Sequence, residues 1–164
     1  MEKELLREIL NDLAAINRER AKAYEDASFE NIVYNLELRG TFALLANVSR
    51  QNNFMLKQQL EKMPVKNTGS KKPLPQLTFG HLYDQWKNKS ITFVGKNVVD
   101  VLQACEEGEE AILHIYQQAI DMLDTTELKE MLENQMRGLQ NSYSIIRGLV
   151  LHPPHMPERI KKSS

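Results

Sequence analysis

The chain has 164 residues, 41% of them hydrophobic and 26% charged, and this is enough to bury the core of one globular domain. A formal net charge of −1 supplies no overall basic field, which argues against non-specific nucleic-acid binding, and a single cysteine excludes an internal disulfide. No apolar run approaches the roughly 20 residues of a membrane span and the opening MEKELLREIL has no signal-peptide pattern, so the expectation is a cytoplasmic protein without a membrane span.

The first element predicted is a helix over Lys3 to Phe29, where Leu6, Leu10, Leu13 and Ala27 recur at spacings of three and four. A second helix is predicted from Ile32 to Met63 on a stripe of Leu38, Phe42, Leu45 and Leu56, and Gly40 weakens its first turns. The link between the two is so short that they should run antiparallel. The stretch PVKNTGSKKPLPQ then interrupts regular structure with three prolines and a glycine, so 64–77 reads as an exposed connection. Phe79 to Asn88 carries Leu82 and Trp86 four apart and reads as a short helix. Asn97 is placed to cap a third long helix ending near Leu123, and Thr125 or Thr126 to cap a fourth. Leu128, Leu132, Leu139, Ile146 and Leu149 form the stripe of that last helix, with Glu127 and Glu130 at its positive end. One domain over 1–150 and a mobile tail over 151–164 follow. The fold class is all-α: an antiparallel four-helix bundle with one long crossover connection, the ferritin-like arrangement, and a short extra helix.

Extending each stripe at its own spacing identifies polar residues on the buried face. They are Asn17, Arg20 and Tyr24 in the first helix and Ser49 and Asn52 in the second. Glu109 and Tyr116 follow in the third, and Gln135 and Ser142 in the fourth. Each must be hydrogen-bonded or hydrated, because an unpaired buried polar group costs about 1–3 kcal/mol. Arg20 and Glu109 are the costliest of them, and phase alone leaves open whether they pair inside or reach water along their stems.

A di-metal centre in such a bundle takes a glutamate from each of two helices and a Glu-x-x-His pair from each of the other two. No Glu-x-x-His or Asp-x-x-His occurs in the chain, so the full site is absent. Glu19, Glu25, Glu109, Glu110 and His114 remain as weak candidates for a reduced site holding iron, zinc or manganese. A solvent-facing pair is the simpler reading of Glu110 and His114, and a small buried hydrophobe that of Cys105. No phosphate loop and no nucleophile elbow appear.

LNDLAAINRERAKAYEDA from Leu10, the Phe42–Leu45–Arg50–Phe54 pattern, Leu82 with Trp86, and ACEEGEEAILHIYQQAI from Ala104 occur in that order. Together they resemble a bacterial family of ferritin-like four-helix-bundle proteins of unknown function, over roughly Leu5 to Leu149. The resemblance implies the bundle with a broken middle segment, and no established reaction or cofactor. Members of that family often carry a histidine where Tyr143 stands here, so a metal role inherited through that position is weakened. The function expected is a non-enzymatic structural or interaction role with a depleted metal site and no cofactor. A homo-oligomer is the expected partner, and no nucleic acid. The competing expectation is a metal-binding protein or oxidase built around Glu109. A third, an apolar ligand cavity beside Tyr24 and Tyr116, competes with plain core packing of both rings.

Overall fold

A computed structural model describes residues 3–29, 36–63, 82 and 97–154. Within them the chain forms four long helices and no strand: α1 (Lys3–Phe29), α2 (Leu36–Lys62), α3 (Val98–Met122) and α4 (Thr126–Leu151). The expected start of the second helix before Leu36, the 64–77 connection, most of the expected short helix at Phe79–Asn88, and the tail beyond 154 lie outside the described residues. Leu82 is the described residue of that short segment, and it is buried in the core.

Local chemistry accounts for the helix ends. Asn97 holds extended backbone, and its Oδ1 accepts from the Asp100 amide at 2.8 Å, satisfying one of the donors that a helix start leaves without a partner. α3 runs unbroken through Gly108, so the roughly 1 kcal/mol helix cost of glycine is absorbed. Leu123 closes the helix with its amide on the Ile120 carbonyl, and Asp124 and Thr125 lead directly into α4. Thr125 occupies the cap position of α4, but its hydroxyl makes no capping hydrogen bond, contrary to the capping role expected of it. Glu127 alone supplies the favourable charge in the first turn of that helix.

The helices meet in reversed order. From the start of α1 onward, Arg7 reaches the Met63 carbonyl, Asn53 the Ala14 carbonyl, and Arg39 the Ser28 carbonyl. α3 and α4 are likewise reversed, with Glu106 against Arg147, Glu110 against Tyr143 and Tyr116 against Gln135.

Two apolar clusters fill the interior, each drawing on all four helices. One gathers Ile9, Leu10 and Leu13 with Leu56, Ile112, Ile115, Leu132 and Leu139. The other gathers Tyr24, Leu38, Phe42, Leu45, Leu102 and Ile146, with the Tyr24 and Phe42 rings 5.5 Å apart. Burying one such large side chain is worth about 1.5–3 kcal/mol, so these clusters supply the main drive for assembly. Between them the interior is polar, and that layer is the distinctive feature of the fold. No described helix is long and apolar enough to cross a membrane.

Candidate functional site

The polar layer is assembled from two or three residues of each helix, set where the apolar stripes are interrupted. Asn17, Arg20, Tyr24, Ser49, Asn52, Glu109, Tyr116, Gln135 and Ser142 are all buried. Arg20 and Glu109 are each only 1% exposed, so the pair lies inside the bundle and does not reach water at its edge.

Arg20 organises the layer. Its Nε donates to Glu109 Oε2 at 2.8 Å and its Nη2 to Glu109 Oε1 at 2.5 Å, the two-pronged geometry that a planar guanidinium offers a carboxylate. Nη1 donates to the Leu45 carbonyl at 3.0 Å and to Ser49 Oγ at 2.7 Å. Its guanidinium carbon lies 5.0 Å from the centre of the Tyr24 ring. Burial alone would push the guanidinium towards deprotonation. The Glu109 charge and hydrogen bonds outweigh that, and Arg20 is held more firmly protonated than in water.

From Ser49 the network continues across the bundle. Ser49 Oγ donates to Asn17 Oδ1 at 2.9 Å, and Asn52 Nδ2 reaches the same oxygen at 3.3 Å. Asn17 Nδ2 donates to the Leu13 carbonyl and to the Tyr116 hydroxyl, both at 2.8 Å. Tyr116 donates in turn to Gln135 Oε1 at 2.7 Å, and Gln135 Nε2 closes on the Asn52 carbonyl at 3.5 Å. Ser142 stands apart, bonded back to the Gly138 carbonyl of its own helix.

Tyr24 ends the layer at the second apolar cluster. Its hydroxyl is fully buried against the Cys105 thiol, its hydrogen-bonding neighbour, with the Glu109 charge close by. Burial, reinforced by those two groups, pushes the phenol well above the usual tyrosine range. Burial raises Tyr116 as well, against the opposing effects of Asn17 and Arg20. Folded-state values raised above the unfolded value of about 10 mean that stability is complete below pH ~10 and is lost as pH rises past it. In an alkaline titration followed by tyrosinate absorbance, these two tyrosines are expected to ionise only with unfolding, and Tyr116→Phe to remove one late-ionising group.

The residues singled out as metal ligands are not brought together. Glu109 spends both oxygens on Arg20. Glu25 is half-exposed and paired with Arg50, and Glu19 is half-buried. Glu110 Oε1 accepts from the Tyr143 hydroxyl at 3.0 Å, and Tyr143 also accepts from Arg147 at 3.2 Å. His114 is exposed, its Nε2 lying 3.2 Å from Gln118 Nε2. Among the described residues no three His, Cys, Asp or Glu side chains form a group able to hold a metal ion. The donor set around Glu109 does not fit a divalent cation, because a guanidinium already neutralises that carboxylate.

Sequence reasoning did not single out a groove of about 460 Å³ on the outer face of α1 and α2, where Arg18, Lys22, Arg50 and Lys57 surround Phe54. The signal was present as one-turn and two-turn spacings within each helix, but pairing the helices was needed to join them. Comparison with protein-family models, curated proteins and solved structures found no match.

Proposed function

We propose that this chain is a non-catalytic helical-bundle scaffold, self-associating, in which an internal ion pair takes the place that metal ligands hold in the ferritin-like fold. The observation that carries this reading is the Arg20–Glu109 pair, fully buried at 2.5 and 2.8 Å. A guanidinium supplies the positive charge that the buried Glu109 carboxylate requires, and it makes four hydrogen bonds, two to Glu109 and one each to Ser49 and the Leu45 carbonyl. Such a layer fixes the helices in register and offers no open coordination position.

The reversed contacts of α1 with α2 and of α3 with α4 support a finer reading, a ferritin-like bundle with a single crossover between α2 and α3. The contacts of Asn17 and Arg20 with Tyr116 and Glu109 support it as well, since the later residue of α1 meets the earlier residue of α3. Membership of the ferritin-like family of unknown function, and a cytoplasmic setting, belong to the same proposal.

Elemental analysis of protein purified without chelator tests the metal side of it. Iron, zinc and manganese are expected well below one per chain, and unchanged in Glu109→Ala. A stoichiometric metal lost in that variant would replace this reading with the metal-binding one. Light scattering across a concentration series tests self-association, and a strict monomer throughout would remove that part.

A further inference from the structure

The outer groove of α1 and α2 concentrates four cations and one carboxylate, Glu25, around an aromatic ring that the described residues leave uncovered. Arg18, Lys22, Arg50 and Lys57 are exposed, and Phe54 is 62% exposed at the centre. Glu25 is engaged by Arg50, and four cations against that one carboxylate leave the groove net positive. An uncovered aromatic ring ringed by cations is the composition of a docking surface: the ring supplies apolar area and the charges select an acidic counterpart.

The chain carries that counterpart itself. α3 has six carboxylates and no lysine or arginine. Glu109 is consumed inside by Arg20 and Glu106 is bridged by Arg147, but Asp100, Glu107, Glu110 and Asp121 are exposed. The spacings match as well as the signs. Arg50 and Lys57 are seven residues apart on α2, and Asp100 and Glu107 are seven apart on α3, two helical turns or about 10.5 Å in each case. With the helices antiparallel, Arg50 faces Glu107, Lys57 faces Asp100, and Phe54 falls over the flatter stretch at Gln103 and Ala104. The exposed Val99, half-accessible at the end of that stretch, adds apolar area.

We infer that the α1–α2 groove docks the acidic α3 face of a second copy of this chain. This names the surface through which the self-association proposed above takes place, and it rests on that reading. α3 packs on α4 and meets α1 through the buried network, so its exposed face points away from the groove of the same molecule. The contact is therefore head-to-tail between copies, and it closes as a ring or grows as a chain instead of stopping at a two-fold dimer.

Sedimentation and light scattering of the full chain test this with two charge-reversed proteins. One carries Arg50→Glu and Lys57→Glu, the other Asp100→Lys and Glu107→Lys. All four positions are exposed, and circular dichroism confirms that each variant keeps its helices. The expected result is that association of the native chain weakens as salt approaches about 1 M, where charges are screened beyond about 3 Å. Each reversed protein alone is expected to associate at least tenfold more weakly than the native chain. An equimolar mixture of the two recovers association, because each reversed surface then meets an opposite charge. Native self-association that survives both reversals, or reversals whose mixture fails to recover, overturns this interface and leaves the scaffold reading standing. A native chain that is monomeric at every concentration overturns both. A monomer that binds a polyglutamate peptide, and loses it with Arg50→Glu and Lys57→Glu, assigns the groove to a foreign acidic partner and overturns the pairing of copies.

Discussion

Glu109→Ala is expected to lower the unfolding free energy by about 3–5 kcal/mol, measured by urea titration of helical circular dichroism. The loss comes less from the missing attraction than from what remains. Arg20 stays inside the bundle with Nε and Nη2 stripped of their acceptors and its charge uncompensated. Arg20→Met combined with Glu109→Leu is expected to recover most of that stability, because it removes both charges and keeps apolar volume in their place. A double variant as unstable as Glu109→Ala would show that the pair is indispensable to packing and not merely intolerant of being halved. If Glu109→Ala itself costs less than about 1 kcal/mol, Arg20 has another way to reach water, and the closed interior on which the scaffold reading depends is wrong.

The Tyr116 hydroxyl is the second sensitive point, because it links the Asn17 half of the network to Gln135. Tyr116→Phe keeps the ring and deletes one oxygen. Asn17 Nδ2 retains the Leu13 carbonyl, but Gln135 Oε1 loses its donor in a fully buried position. A cost of about 1–3 kcal/mol is expected. Adding Gln135→Leu to Tyr116→Phe removes the orphaned acceptor, so the double variant should be more stable than the sum of the two single changes predicts, a coupling of 0.5 kcal/mol or more on the order seen for groups in one network. Strict additivity would mean that Gln135 finds another partner, and that the layer is a set of local bonds instead of one connected unit.

These two expectations concern residues whose inward phase was readable beforehand and whose depth and partners were not. Arg20 and Glu109 fall on apolar stripes at helical spacing, so their inward phase follows from 3.6 residues per turn. Their separation by 89 residues puts them on different helices, and phase says nothing about relative height or rotation. The same holds for Asn17 and Tyr116, 99 residues apart. Ser142 shares the stripe phase of Gln135, two turns further along, yet its hydroxyl donates to the Gly138 carbonyl of its own helix. The hydroxyl of Thr125 does not cap α4 even though the residue type favours it. Cap preference is a local bias, and the three-residue turn from α3 sets the backbone there.

The sequence by itself determined the helical class, the extents of α1, α3 and α4, and the inward phase of the polar layer, though not the buried Ser28, because these depend on periodicity and on caps within a few residues. It also excluded the complete di-metal ligand set, which needs a spacing this chain lacks. Only the tertiary structure decided that Arg20 neutralises Glu109, that one network runs from Ser49 to Gln135, and that Arg18, Lys22, Arg50 and Lys57 converge on Phe54. Those outcomes depend on which helices are neighbours and how they slide along one another. That is settled by the whole core packing at once, and no single segment of the chain carries it.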